Sequence, residues 1–454
     1  MTVRSRSFLG ALLLLALVGA SACGGSGGDS SGAEVLPDFC SQPAGHYPAA
    51  AADRPRYRVE LSIDRRRRLV TGHLQVSFTP DTATDRLVFR LWPNSPAEHG
   101  ARLTVGKLSV DRAAGAARLA DPTTLVVPLA TPLDAGQTVA AELGFRLKAP
   151  ARKGERIAFD RGIVRLGSFL PILPWEPGRG WALEPPASIP SETSTSPVAD
   201  WDVTVKPPRG ATVLATGVEG QAGHWTATAV RDFALAAGHF ELARETAHAP
   251  DAVAITVGVG AGHADPVQLA ATVRADIERL AREYGPYPWP TFSAFVVPGL
   301  RGSGIEYPNA VYLGEDAAPV VVAHEVAHQW FYSLVGNDQA RDPWLDEALA
   351  SWAGGRVSGD LARFMSTPVP DAAGGHLGDP MTYWDRHGDM YFAGVYAQGA
   401  QALGGSGSEA GVRCALRRYV ERNAYRIATP DDLLAALRAV YPDAGARFQQ
   451  YGVR

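Results

Sequence analysis

The sequence predicts a multidomain α+β chain, with an N-terminal antiparallel β domain over residues 46–246 followed by a mainly helical domain over 247–454. Two patterns carry that expectation: apolar residues recur with period two from Tyr57 to about Leu242, and with helical spacing from Leu269 onward. A length of 454 residues is enough for two or three domains with cores of their own.

In the first half, Tyr57, Val59, Leu61 and Ile63 alternate with other residues, as do Leu74, Val76 and Phe78, then Leu87, Phe89 and Leu91, and later Trp201, Val203 and Val205. Alternation puts one face of a strand in a core and the other in water, and turn residues between the runs imply an antiparallel sheet. Arg65 to Arg68 is the one dense basic run. It lies between two such segments and reads as a solvated hairpin loop. The Pro-, Gly- and Trp-rich stretch from Leu170 to Pro190 is expected to be a loop that shapes a cleft rather than forming core. No cluster of metal-ligand residues appears in this half.

Around Ala247 to Pro266 the character changes. Leu269, Val273, Ile277, Leu280 and Tyr284 recur at helical spacing and stop at Gly285-Pro286, so a helix opens the second domain. Phe292 to Val297 reads as a buried strand, and Glu306 falls in the next segment, expected at the edge of a cleft. Near the C-terminus, Thr429-Pro430-Asp431-Asp432 supplies an N-cap, a first-position proline and an acidic first turn before Leu433, Leu434 and Leu437. No internal repeat is visible.

Composition removes several classes of function. The chain is 46% hydrophobic and 20% charged, which excludes disorder, and a net charge of −4 without a long basic face excludes nucleic acid as a partner. Arg4 and Arg6 precede an apolar run from Phe8 to Val18, too short to span a bilayer and suited to a secretory signal over residues 1–22. Ala20-Ser21-Ala22-Cys23, followed by a Gly- and Ser-rich run to Gly32, resembles a bacterial lipoprotein processing site with Ala20 in place of the usual Leu. On that reading a lipid on Cys23 and a flexible linker over 23–45 anchor the chain to the outer face of a bacterial membrane. The alternative is plain secretion after an Ala-Ser-Ala type cut. Cys40 and Cys414 fit two readings equally: a disulfide, worth at most roughly 5 to 6 kcal/mol by loop closure, or two buried thiols.

The chemistry concentrates in His324-Glu325-Val326-Ala327-His328, with Glu347 following in Asp-Pro-Trp-Leu-Asp-Glu-Ala. On a helix, residues four apart share a face, so His324 and His328 can aim at one point. Neutral imidazoles suit zinc, Glu347 completes a two-His, one-Glu set, and a fourth position stays open, the mark of a catalytic rather than a structural site. Glu325 sits beside His324 but does not reach the same cation, which leaves its carboxylate to act as general base. Val320, Val321, Val322, Ala323, Val326, Ala327, Trp330, Phe331 and Leu334 make the surroundings of the motif apolar nearly all round, unlike a surface helix. Trp344, Leu345, Ala348, Leu349 and Trp352 do the same around Glu347. Polar groups buried in such helices need a partner that offsets their desolvation.

The run His-Glu-Val-Ala-His-Gln-Trp-Phe with the spaced Glu347 resembles the zinc metallopeptidase family of aminopeptidase N and leukotriene hydrolase, a gluzincin family, over most of the chain from about Tyr57. The resemblance implies a thermolysin-like catalytic domain, one Zn2+ per chain on His324, His328 and Glu347, and hydrolysis of N-terminal peptide bonds of extracellular peptides. Many relatives carry a further large helical domain that this sequence is expected to lack. Gly304-Ile305-Glu306-Tyr307-Pro308 stands where the family has Gly-x-Met-Glu-Asn, so Gly304 and Glu306 are implied as substrate-binding residues, with Glu306 gripping the free α-amine of the peptide. Val395-Tyr396-Ala397-Gln398-Gly399 matches a third motif whose tyrosine stabilises the oxyanion, which implies a catalytic role for Tyr396; Gln398 replaces the family's lysine. Without the resemblance, Tyr391 is nearly as good a candidate. Relatives hold the amine with a second Glu or Gln from the β domain, and the matching position here is Gly162, with Asp160 as a possible substitute. An endopeptidase or amidase on the same zinc site is the alternative activity, and a surface-anchored peptide-binding protein with a vestigial site is a third reading. The intact His324, Glu325, His328 and Glu347 set argues against the last.

Overall fold

The computed structural model describes residues 34–150, 154–189 and 195–454. The signal peptide expected over 1–22 and the lipid site at Cys23 lie outside the described residues. Among those described, no helix is long and apolar enough to cross a membrane.

The first half is β-rich. Strand Arg56–Asp64 buries every second residue, and with Leu69–Phe78 it closes a hairpin around the Arg65–Arg68 turn. These strands are the centre of an eight-stranded sheet. The sheet is not purely antiparallel, because Arg56–Asp64 pairs in parallel with Ala199–Lys206 and sets Tyr57 opposite Trp201. Their rings stack at 4.1 Å and 8° on the buried face, a contact that alternation within each strand cannot foretell. A three-stranded sheet, a four-stranded sheet and a two-stranded one, Trp175–Glu176 with Gly180–Trp181, complete this half.

The first part of the stretch expected to form a cleft loop belongs to the core. Phe169, Leu170, Ile172, Leu173 and Trp175 are buried, and Leu173 donates its backbone N–H to the Tyr57 hydroxyl at 3.0 Å. Only a short hairpin forms here, Trp175–Glu176 with Gly180–Trp181, and its turn at 177–179 is exposed while the apolar residues before it are buried.

A five-stranded sheet begins at Glu241, so the change-over precedes the expected break between 246 and 247. Its order is Glu241–His248, Ala252–Val259, Thr291–Val296, Ala310–Leu313 and Gly304–Tyr307, with the last strand at the edge. Helix α1 (Pro266–Tyr284) crosses this sheet, capped by Asp265 and stopped at Gly285. The helical part follows as α2 (Pro319–Ala327), α3 (Trp344–Ser358), α4 (Leu361–Ser366), α5 (Met381–Trp384), α6 (Gln398–Gly404), α7 (Glu409–Asn423), α8 (Pro430–Arg438) and α9 (Ala444–Gln449). The Thr429–Asp432 capping box opens α8.

Cys40 and Cys414 form a disulfide. Residues 34–45, expected to belong to a flexible linker, are therefore fastened to α7: Arg417 donates to the Phe39 carbonyl at 2.8 Å, Arg418 lies over the Phe39 ring at 4.6 Å, and Gly45 donates to Glu421 at 2.9 Å.

The two halves are pinned together by two arginines, a buried one that donates to backbone and a half-buried one that pairs with carboxylates. Arg231 donates to the carbonyls of Tyr332 (2.8 Å) and Arg426 (2.7 Å), and Arg341 of the helical half pairs with Glu176 and Glu184 at 3.1 and 2.7 Å. Removing a buried arginine of this kind leaves several acceptors unpaired, so these contacts fix the position of the segment after α2.

Candidate metal centre and active site

Helix α2 is shorter than expected. It ends at Ala327, His328 caps it, and Trp330, Phe331 and Leu334 lie on the turn that follows rather than on the helix. Val322, Ala323, Val326 and Ala327 are buried, so the helix has no solvent face to which its histidines could turn. Helix α3 packs against it with unusual closeness at Gly354, where a Cβ would stand 2.7 Å from the Cα and N of His324. Any side chain at 354 would push the two helices apart. With that approach allowed, Glu347 meets both histidines.

The Nε2 atom of His324 lies 3.0 Å from Glu347 Oε2, that of His328 lies 3.4 Å from the same oxygen, and the two nitrogens are 3.0 Å apart. His328 presents Nδ1 to the Phe331 carbonyl at 3.0 Å and Ser351 Oγ lies 3.5 Å from His324 Nδ1, contacts that keep both Nε2 atoms turned inward. Three buried donors that converge in this way suit a divalent cation of borderline softness, and zinc fits them.

The charges follow the geometry. Burial pushes the His324 imidazole below its ordinary range. Burial acts likewise on His328, but Glu306 and Glu347 outweigh it and raise this residue. Burial alone would raise Glu347, yet His328 and the hydrogen bonds from both histidines hold its carboxyl well below the usual carboxylate range. A permanently ionised carboxylate is what a metal ligand requires.

A second convergent group consists of Glu306, Glu325 and His328. Burial lifts the Glu325 carboxyl well above its ordinary range, His328 opposes this, and Glu306 and Glu347 add to it. A cation beside Glu325 would draw its pKa down again. Its Oε2 is buried and accepts no hydrogen bond among the described residues, so an acceptor is free at the site. Glu306 is 3% exposed on the edge strand, and Gly304 begins that strand against the Glu325 side chain.

Behind Glu306 runs a chain of amides and carboxyls that the sequence reading missed. Gln339 Nε2 donates to Glu306 Oε1 at 3.5 Å and to Asp346 Oδ2 at 3.0 Å. Asp346 Oδ1 accepts from Asn337 Nδ2 and from the backbone N–H of Glu347, both at 3.0 Å. Burial raises the Asp346 carboxyl to about 7. The one available signal was the adjacency of Asp346 to Glu347; nothing in the spacing of Gln339 marks it.

Tyr396 reaches the ligand set. It sits on a π-helical turn, Phe392–Ala397, donates its hydroxyl to Glu347 Oε1 at 2.7 Å, and stacks on His324 with ring centroids 5.6 Å apart. Tyr391 packs edge-on against Trp384. Gln398, at the position of the family's lysine, is buried and braces backbone: its amide donates to Ala373 and Gly394 carbonyls and its oxygen accepts from Gly375.

Asp160 ends strand Ile157–Asp160 and Gly162 lies in the turn that leads to Ile163–Leu166, with Asp160 paired to Arg161 at 3.7 Å and Arg161 to Glu315 at 2.5 Å. Neither belongs to the groups of converging side chains. Glu155 is the β-domain carboxyl that acts on this region. Burial raises it to about 7, and Glu306 is among the charges that repel its ionised form.

Comparison with known proteins finds a peptidase family M1 domain over residues 278–371. The chain is similar to aminopeptidase M1 of Arabidopsis thaliana, 27% identical over 239 residues that cover 45% of this chain and 27% of that protein. It is 30% identical to human aminopeptidase B over 82 residues, covering 16% of this chain and 13% of that one. The chain thus spans about a quarter or less of the length of these curated relatives. Its fold is similar to the crystal structure of an M1 zinc metallopeptidase from Deinococcus radiodurans, with a TM-score of 0.62 and 19% identity over 90% of this chain and 96% of that one. A mutant of a Deinococcus radiodurans M1 zinc metallopeptidase bound to a Tyr-ser-ala substrate aligns with a TM-score of 0.63 at 18% identity, over 90% of this chain and 96% of that one.

Proposed function

We propose that the chain, which carries a peptidase family M1 domain and is similar to the zinc metallopeptidases of the aminopeptidase N family, is a zinc-dependent aminopeptidase that removes N-terminal residues from extracellular peptides. The observation that carries the aminopeptidase reading is the buried carboxylate of Glu306 on an edge strand beside Glu325 and His328. An anion held there matches the ammonium of a peptide N-terminus and leaves the first peptide bond beside Glu325.

His324, His328 and Glu347 would hold the zinc, which when bound polarises the scissile carbonyl and makes water a better nucleophile. Glu325 takes the proton as the water oxygen attacks the carbonyl carbon, and its buried, unpartnered Oε2 is the acceptor. The same carboxyl then gives the proton to the nitrogen of the departing peptide as the C–N bond breaks. Tyr396, moved from its bond to Glu347, donates to the oxygen on which charge develops. Gln339 and Asp346 keep Glu306 and Glu347 in register with one another.

The lipid reading of Cys23 belongs to this proposal: a chain tethered at a cell surface acts on peptides outside the cell. A mass measurement on the N-terminal peptide of the membrane fraction, together with Cys23→Ser, tests it. Lipid at Cys23 supports the tether, and wild-type protein wholly in the medium supports plain secretion.

The decisive test of the activity is a panel of aminoacyl amides and short peptides assayed with free and with N-acetylated termini. Free amines should be cleaved at the first bond, and blocked ones poorly, because acetylation removes the charge that Glu306 holds. Equal cleavage of both, or cuts within blocked peptides, would make the enzyme an endopeptidase.

A further inference from the structure

Away from the zinc site, a cavity of about 430 Å³ opens between the C-terminal half of α1, the helix α7 and the N-terminal segment. Arg279 and Arg282 of α1 and Arg413 and Arg417 of α7 line it, with Glu283 as the lone acid and Leu36 at its rim. Glu283 is already paired with Arg356 at 3.4 Å. Arg417 is committed to the Phe39 and Cys40 carbonyls, and Arg279 donates to the Val357 carbonyl. Arg282 and Arg413 have neither a hydrogen bond nor an ion pair among the described residues, so two guanidiniums face this space with their donors unassigned.

Structural roles do not account for that pair. Arg282 lies in the last turn of α1, where a cation suits the helix dipole, but Arg413 lies near the N-terminal end of α7, where the dipole repels it. Bringing four guanidiniums to one cavity costs electrostatic energy that an anion would remove. Planar forked donors match the oxygens of a phosphate, which can accept from two guanidiniums at once.

The location of the cavity narrows the source of that phosphate. Leu36 lies thirteen residues after Cys23, and a chain of that length reaches at most about 45 Å when fully extended. The disulfide holds the N-terminal segment at the cavity mouth, so the point where the tether leaves the body and the four arginines share one face. We propose that this cavity binds the phosphate headgroup of an anionic membrane phospholipid and docks the enzyme, α7 face down, on the surface to which Cys23 tethers it. The choice of a membrane source rests on the lipid-anchor reading; the phosphate chemistry does not.

The test uses the full chain carrying Cys23→Ser, so that no attached lipid contributes and failure of the anchor reading cannot be confused with failure of this one. The protein should co-sediment with vesicles containing phosphatidylglycerol and not with pure phosphatidylcholine. Arg282→Gln with Arg413→Gln should weaken that partition about thirty-fold, with zinc content and peptide hydrolysis unchanged. Arg102→Gln with Arg118→Gln, exposed arginines of the β-rich half, is the control and should leave it unaltered. The proposal is overturned if vesicle binding ignores lipid charge, if the cavity variant binds like its parent, or if the control loses as much. Binding of inorganic phosphate at the cavity with no binding to charged vesicles would overturn the membrane source.

Discussion

A methyl group on Gly304 would stand 2.4 Å from Cγ of Glu325 and 2.5 Å from its Cδ and Oε1. The edge strand and the Glu325 side chain therefore share one space, which a side chain at 304 would occupy. Gly304→Ala should displace Glu325 by a sizeable fraction of an ångström and lower turnover about 100-fold, while bound zinc stays at one per chain. Parallel measurements of metal content and kcat check this, and an alanine variant with normal kcat would show that Glu325 has room to spare.

Glu325→Gln removes the proton acceptor but none of the three converging ligands. Turnover should fall by about 100- to 10,000-fold with stoichiometric zinc retained, as read by metal analysis of the dialysed protein. Loss of the metal would mean that Glu325 is a ligand instead.

Tyr396→Phe deletes a hydroxyl that donates to Glu347 Oε1 and leaves the ring stacked on His324. The expected result is a fall of about 100-fold in kcat with KM little changed. Tyr391→Phe keeps a ring packed against Trp384 and Tyr396 and should cost far less turnover than Tyr396→Phe. The reverse outcome would transfer the role to Tyr391.

Glu306→Ala should lower kcat/KM for free-amine substrates about 10- to 150-fold and narrow their advantage over acetylated ones. Gln339→Leu, which touches no substrate, should produce a smaller change of the same kind by freeing Glu306. A wild-type preference retained in Glu306→Ala argues that another carboxyl, Glu155 foremost, holds the amine.

Asp276 is 6% exposed on α1 and its Oδ2 accepts no hydrogen bond among the described residues. Burial lifts its carboxyl to about 7, with Arg279 opposing. Its folded pKa lies above its unfolded value, so the folded chain binds this proton more tightly and ionisation costs stability. That cost is absent below about pH 4, grows as pH rises, and is complete above about pH 7, reaching roughly 4 kcal/mol at most. Asp276→Asn should raise the melting temperature at pH 8 and leave it nearly unchanged at pH 4. Equal shifts at both values would assign the effect to packing rather than charge.

The convergence of His324, His328 and Glu347 was legible from sequence because helical spacing fixes which side chains share a face, and Glu347 belongs to a second apolar helix with few ways to pack. Capping at Asp265 and Thr429 was equally local, although only the second was read. What escaped were relations that no local period encodes. The parallel pairing of Tyr57 with Trp201 joins segments far apart in the chain, and the proline-rich stretch near Ile172 forms core although its composition reads as loop. The early end of α2 at Ala327 is followed by a turn whose Tyr332 carbonyl accepts from Arg231, a partner far away in sequence. Gln339 and Asp346 were invisible for the same reason: their partners are brought near by folding, not by spacing.

The bond between Cys40 and Cys414 joins positions 374 residues apart, which makes nearly the whole described chain a covalent ring with two short tails. One backbone cut anywhere inside that ring opens it without releasing a piece. A molecule nicked by a neighbouring protease would therefore run as a single species on a non-reducing gel and separate into two only after reduction. In surroundings rich in peptidases, such a ring turns a first proteolytic accident into one the enzyme can survive, and only a second cut sets a fragment free.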